Sequence, residues 1–316
     1  MTPAPPAARN LCRKAAPAAA ARALAILALL AALAAGCPRQ EPAELAAPAA
    51  APPRELRLAG NPDTRLLSWT VSGGGALRAL VAAPGASGAS AAPGAALVLF
   101  VGGNGKLGLT DTGEVTGLGQ NFLARSADLF QQQGLAMALI DRPTNVGDDA
   151  SGDYRLSDAQ ARDAALVCAY LRARWHVPVV FVGTSRGSIS AASATALLGP
   201  QGPDAVVLTS SVMRHSKRGA STVFSAALGD IAVPALVVHN REDACPLCPA
   251  DDAPRLRGAL TRAPRGELIL LSGGGGMDDP CGALSTHGYN GIERDAVNAI
   301  SAWILDPSRG PDRPNQ

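Results

Sequence analysis

The stretch Val179-Val-Phe-Val-Gly183-Thr-Ser185-Arg-Gly187-Ser188 runs from four strand-forming residues into a serine fenced by two glycines. Residues 187–198 then read as a helix stopped by Gly199-Pro200. A glycine-rich strand-to-helix turn accounts for the pattern in its plainest form. The sharper account is steric. A serine whose hydroxyl stands clear of such a corner must adopt an unfavourable backbone conformation. Side chains two positions before and after it would then collide with the neighbouring strand and helix. Glycine at 183 and 187 removes both collisions. The helix that follows aims its positive end at the same hydroxyl and favours an anion there. Ser185 is the candidate nucleophile.

Around this corner the composition is globular. Of 316 residues, 47% are hydrophobic and only 17% charged, so the chain can bury a large core. Aromatics make up 3%, which leaves Ala, Val and Leu to build that core. The formal charge of +2, with no basic run, gives no electrostatic footprint for nucleic acid. Arg9, Arg13, Lys14 and Arg22 lie in the first 36 positions, which contain no acid, and the apolar stretch Ala23 to Ala35 follows. Basic flank and short apolar stretch together read as a secretory signal. It ends in Leu33-Ala-Ala-Gly-Cys37, which resembles the lipobox of bacterial lipoproteins, with Ala34 where that motif usually has Leu. The expectation is an exported chain, anchored to a membrane on its periplasmic or cell-surface face by lipid on Cys37. Residues 37–54, rich in Ala and Pro, read as a tether, and 307–316 as a flexible tail.

Between them, 55–306 alternates apolar runs with amphipathic stretches, the signature of βαβ units and a largely parallel sheet. Strands are expected near 55–59, 65–71, 76–82, 96–101, 135–140, 177–182, 205–210, 235–240 and 266–271. Helices are expected near 120–133, 157–174, 187–198, 253–262 and 291–304. Ser157 and Gln160 form a capping box for the second helix, and Cys168 lies on its apolar stripe as a core thiol.

A serine near its free pKa needs a base, and the base an orienter. In a parallel sheet both come from loops beyond the carboxyl ends of later strands. Asp243 follows Pro234-Ala-Leu-Val-Val-His-Asn240, and His287 lies in the loop after Glu267-Leu-Ile-Leu-Leu-Ser-Gly273. His176 precedes the strand that feeds Ser185, His239 reads as packed, and His215 is the rival base. Glu242, Asp278 and Asp279 are rival acids.

The order Ser185, Asp243, His287, with His239-Asn-Arg-Glu-Asp243 and His287-Gly288, resembles the α/β-hydrolase family over about 55–306, serine esterases and lipases in particular. The resemblance implies a mostly parallel, twisted, eight-stranded sheet with helices on both faces. It implies a Ser185–His287–Asp243 triad. It also implies an oxyanion hole after the strand Ala96–Val101, with donors from Gly103 or Asn104 and from Arg186. Position 101 carries Val where the family usually has His. Gly103-Asn-Gly105-Lys-Leu-Gly108 also satisfies a dinucleotide fingerprint, but Leu109-Thr-Asp-Thr-Gly113 is a poor helix start, so that reading fails.

Cys245, Cys248 and Cys281 flank the acid and base loops. In an oxidising compartment a disulfide is expected, Cys245 with Cys281, or Cys248 with Cys281 as the alternative; free thiols are the third possibility. No metal or cofactor is expected. Only some twenty residues follow the strand 205–211 before the next, so the cap should be small or missing and the substrates small or medium carboxylic esters. Amide or peptide cleavage by the same triad, or a non-catalytic binding lipoprotein on a hydrolase scaffold, are the other readings.

Overall fold

The computed structural model describes residues 51–58, 64–84, 92–148, 152–216, 220–276 and 278–306. The expected signal segment, Cys37, most of the tether and the tail lie outside the described residues. Nine strands form one sheet: β1 (Arg54–Arg57), β2 (Thr64–Thr70), β3 (Ala76–Ala82), β4 (Ala95–Phe100), β5 (Leu135–Ile140), β6 (Val179–Thr184), β7 (Ala205–Thr209), β8 (Ala235–Asn240) and β9 (Gly266–Leu271). Their order is β1-β2-β3-β5-β4-β6-β7-β8-β9. Pairing is antiparallel from β1 through β3 to β5 and parallel from β5 to β9.

The eight strands implied by the resemblance are corrected to nine, the number read along the chain: the strand expected near 55–59 forms as Arg54–Arg57 and pairs with β2, Leu56 opposite Leu66, and Glu55 contacts Arg65. This strand is short, charged and mostly exposed, a composition that protects a sheet edge from further pairing.

β4, β5, β6 and β8 are buried along their whole length, as strands covered by helices on both faces must be. Alternation sorts their side chains into two cores. Val98, Phe100, Val179 and Phe181 face helices α3 (Asp158–Trp175), α4 (Gly187–Leu198) and α5 (Ala253–Ala259). Leu97, Leu99, Val180 and Val182 face α1 (Phe122–Arg125), α2 (Ala127–Gln132) and α6 (Glu293–Leu305). With few aromatics, α3 and α4 contribute stripes of alanine: Ala161, Ala164 and Ala165 from one, Ala191, Ala192 and Ala194 from the other. The single helix expected over 120–133 is interrupted at Ser126, whose ψ of 5° breaks the helical path.

The α3 cap forms by halves. Ser157 Oγ accepts the Gln160 amide at 3.2 Å, but the Ser157 amide donates to Tyr154 O instead of to Gln160. The short turn Tyr154–Leu156 takes the donor first. Cys168 is fully buried on the α3 stripe, and burial pushes its thiol up to about 11. Between β7 and β8 the described residues hold two single 3₁₀ turns and no α-helix. Among the described residues no helix is long and apolar enough to cross a membrane.

Candidate active site

β6 delivers Ser185 to the carboxyl edge of the sheet in the left-handed region, φ 53°. A non-glycine residue there costs roughly 1–2 kcal/mol. The surroundings hold it: the Ser185 amide donates to Thr209 O at 3.0 Å, and its carbonyl accepts Ser188 Oγ at 2.7 Å. A Cβ at Gly183 would stand 2.4 Å from Gly187 O, and one at Gly187 would stand 2.0 Å from Phe100 O. Both contacts are with backbone that cannot move aside, so these two positions admit no side chain.

The acid and base loops meet at the next strand ends. His287 Nδ1 lies 2.9 Å from Asp243 Oδ2, and the Cys245 amide donates to Asp243 Oδ1 at 2.9 Å. A second ring joins them: His239 Nε2 lies 3.2 Å from Asp243 Oδ2 and 2.8 Å from Cys248 O. A carbonyl only accepts, so His239 carries its proton on Nε2 and donates to both oxygens. Burial pushes the Asp243 carboxyl up; donors from His239, His287 and Cys245 outweigh it and hold it below the ordinary carboxylate range. His239, expected only to pack, is completely buried and helps keep Asp243 ionised. Histidine four positions before the acid was visible in the sequence, but nothing in it said that the ring turns back on the carboxylate.

Ser210 Oγ donates to His287 O at 2.8 Å, and Asn240 Nδ2 donates to Thr286 O at 3.1 Å, so the ends of β7 and β8 both grip the base loop. Ser210 follows Thr209, the residue that accepts the Ser185 amide, so Ser185 and the His287 loop are held from neighbouring positions of the sheet edge. Among the described residues no hydrogen bond joins Ser185 Oγ to His287. Side-chain hydrogen bonds in unliganded sites are commonly long and tighten when a ligand arrives.

The rival residues are employed elsewhere. His176 caps α3 at the far edge with φ 55°, and His215 is exposed, with Nδ1 3.1 Å from Ala220 O. Glu242 Oε2 accepts the Gly273 amide, and Asp279 Oδ1 accepts the Cys281 amide. Asp278 is exposed.

After β4 the chain turns sharply over Ser185. A Cβ at Gly102 would stand 2.9 Å from Ser185 Cβ, so glycine is needed there for close approach; sequence reasoning passed over this residue. The Gly105 amide closes the turn on Gly102 O at 3.0 Å, and Asn104 Oδ1 accepts the Lys106 amide at 3.1 Å. The amides of Gly103 and Asn104 have no acceptor among the described residues. Beyond Gly108 comes an isolated bridge between Leu109 and Val115 rather than the helix a dinucleotide fingerprint requires. A pocket lined by Phe100, Asn104, Arg142, Tyr154 and Asp163 opens beside this turn without reaching Ser185, Asp243 or His287.

A disulfide joins Cys245 to Cys281, with Cα atoms 4.6 Å apart, and Cys248 is a free, buried thiol raised by burial. The Cys245 and Cys248 sulfurs and a His287 nitrogen lie within 4.8 Å of one another. One sulfur is consumed by the bridge and His287 Nδ1 is engaged with Asp243, so this cluster ties two loops together rather than presenting free ligands. The bridge closes a sequence separation of 36, which stabilises by about 4 kcal/mol through the unfolded chain. Reduction by a phosphine is expected to lower the denaturant midpoint accordingly. A Cys245→Ser/Cys281→Ser double variant should show the same midpoint with and without the reductant; an unchanged midpoint for the reduced wild type would remove the stabilising role.

No protein-family model matches this chain, and no curated protein matches it by sequence. Solved structures do. A Xanthomonas campestris α/β serine hydrolase described as lacking a lid aligns at 14% identity and TM-score 0.51, over 78% of this chain and 97% of that one. A thermophilic esterase of Thermogutta terrifontis aligns at 16% identity and TM-score 0.51, over 79% and 95%. The same esterase phosphoramylated by tabun aligns at 17% and 0.52, over 77% and 94%. The fold is that of the α/β hydrolases. The α/β-hydrolase sheet explains the reversal in strand order: β4 and β5 exchange places, and the chain turns that carry Gly102, Ser185, Asp243 and His287 all leave the same edge.

Proposed function

We propose that this chain is a serine hydrolase acting on carboxylic esters with small or medium acyl groups. Ser185 Oγ attacks the acyl carbon while His287 Nε2 takes its proton. The tetrahedral oxyanion is received by the amides of Gly103 or Asn104 and of Arg186. His287 then returns the proton to the departing alcohol, and water repeats the cycle on the acyl-serine. Asp243 orients the ring throughout. No cofactor enters these steps.

The observation that carries the reading is the strained Ser185 between two glycines that admit no Cβ, next to a ready-made Asp243–His287 pair. The short connection from β7 to β8 supports compact substrates over long lipids. By its N-terminal sequence the enzyme would work outside the cytoplasmic membrane, tethered through Cys37.

A fluorophosphonate probe tests the reading directly, since the Thermogutta esterase is described as phosphorylated by paraoxon. One label per chain, on the peptide containing Ser185 and missing from Ser185→Ala, is the expected result. Equal labelling of both proteins would refute it. A parallel comparison of p-nitrophenyl butyrate with the corresponding anilide separates esterase from amidase.

A further inference from the structure

Arg155 sits in the 3₁₀ turn before α3 and is only 5% exposed, although it has no counterpart among the residues so far given a role. An arginine this deep needs strong partners, because an unsatisfied buried charge is expensive. Its partners are unusual. Nη2 lies 3.1 Å from Gly103 O, 3.4 Å from Gly102 O and 3.5 Å from Val101 O. Nη1 donates to Ser190 Oγ at 2.9 Å, one turn into the helix that follows Ser185. One guanidinium therefore spans the turn over the nucleophile and the nucleophile's own helix.

Peptide geometry gives this arrangement a consequence. In a planar trans peptide the carbonyl of one residue and the N–H of the next point in opposite directions. Drawing the Gly102 and Gly103 carbonyls towards Arg155 turns the Gly103 and Asn104 N–H groups away from it. Those are the two amides left without an acceptor, in a turn whose Gly102 lies against Ser185. A cation behind the carbonyl oxygens also polarises each peptide unit and strengthens its N–H as a donor.

We propose that Arg155 is the positioning residue of the oxyanion hole, holding the Gly103 and Asn104 amides in the orientation that receives the developing negative charge. The proposal rests on the hydrolase reading above. The Gly105 amide also holds Gly102 O and Arg142 Nη1 holds Asn104 O, but the Gly103 carbonyl is held by Arg155, and Gly103, with φ 52°, is free to turn its peptide once that bond is removed.

The test compares wild type, Arg155→Met and Arg155→Lys in the full chain. Arg155→Met is expected to lower kcat about 100-fold, the effect of losing an oxyanion donor, with KM changed less than threefold. The inhibition constant of a trifluoromethyl ketone, which forms the oxyanion adduct, should rise by the same factor. Arg155→Lys keeps the charge on a single nitrogen that cannot reach both the turn and Ser190, and should recover part of the loss, so it reads the effect even where the Met variant folds poorly. Deuterium exchange across residues 101–109 should quicken in both variants, and it reports on anchoring whether or not any ester is hydrolysed. A kcat within threefold of wild type in both variants, or a loss carried by KM alone, overturns the proposal. A wild type inert towards esters, with exchange still faster in the variants, overturns the hydrolase reading and leaves the anchor standing.

Discussion

Ser185→Ala is expected to reduce ester turnover by about 10⁶-fold, the scale seen when a nucleophilic serine is removed from an acting triad. Residual hydrolysis should come from substrate binding and the oxyanion donors alone. The variant should fold well. Ser185 is held in the left-handed region by backbone bonds to Thr209 and Ser188, and alanine retains those bonds. The unfavourable φ burdens serine and alanine alike, so the melting temperature should stay close to that of the wild type. Steady-state kinetics with p-nitrophenyl butyrate, set beside thermal melting, separates the two effects. A turnover reduced less than tenfold with an intact melt would move the nucleophile elsewhere.

Asp243→Asn is expected to lower kcat by about 10⁴-fold, because an amide cannot hold the imidazole in the needed tautomer. The surroundings sharpen the argument. The carboxylate accepts three donors, from His287, His239 and the Cys245 amide. Asparagine offers one oxygen and one NH₂, so whichever way it sits, an N–H opposes an N–H in a buried place. Stability should therefore fall together with activity, by a mechanism that Ser185→Ala does not share.

The pH dependence has a definite sign. Asp243 titrates below its ordinary value of 3.8 in the folded chain. A depressed carboxyl contributes stability that is fully present above the unfolded value and lost as the pH falls through the folded one. The stability difference between wild type and Asp243→Asn should be constant near neutrality and shrink below pH 3.8. Denaturant titrations at pH 7 and in that acid range measure it. A difference that widens on acidification would contradict the network.

Much of this architecture is readable along the chain because its causes are local. Uniformly apolar runs such as Leu97–Phe100 and Val179–Val182 mark strands covered on both faces, and the carboxyl ends of those strands locate the loops that bear Asp243 and His287. The Ser185 corner is readable for the same reason: the clash that demands glycine at 183 involves Gly187 and Ser188, a few residues away. The edge strand is a weaker case. A strand is expected near 55–59, but Arg54–Arg57 has little burial pattern of its own, and pairing with β2 sets its bounds.

The chain's own pattern thus determined the parallel sheet, the strained serine corner and the candidate acid and base, since periodicity and glycine sterics act within a few residues. Tertiary structure alone decided that His239 shares Asp243 with His287, that Gly102 must be bare because Ser185 lies against it, and that Arg155 grips the turn over Ser185. Arg155 and Gly103 stand 52 positions apart. An arginine in a polar loop looks the same in sequence whether it faces water or three carbonyls, because what distinguishes the two is the position of a strand end contributed by a distant part of the chain.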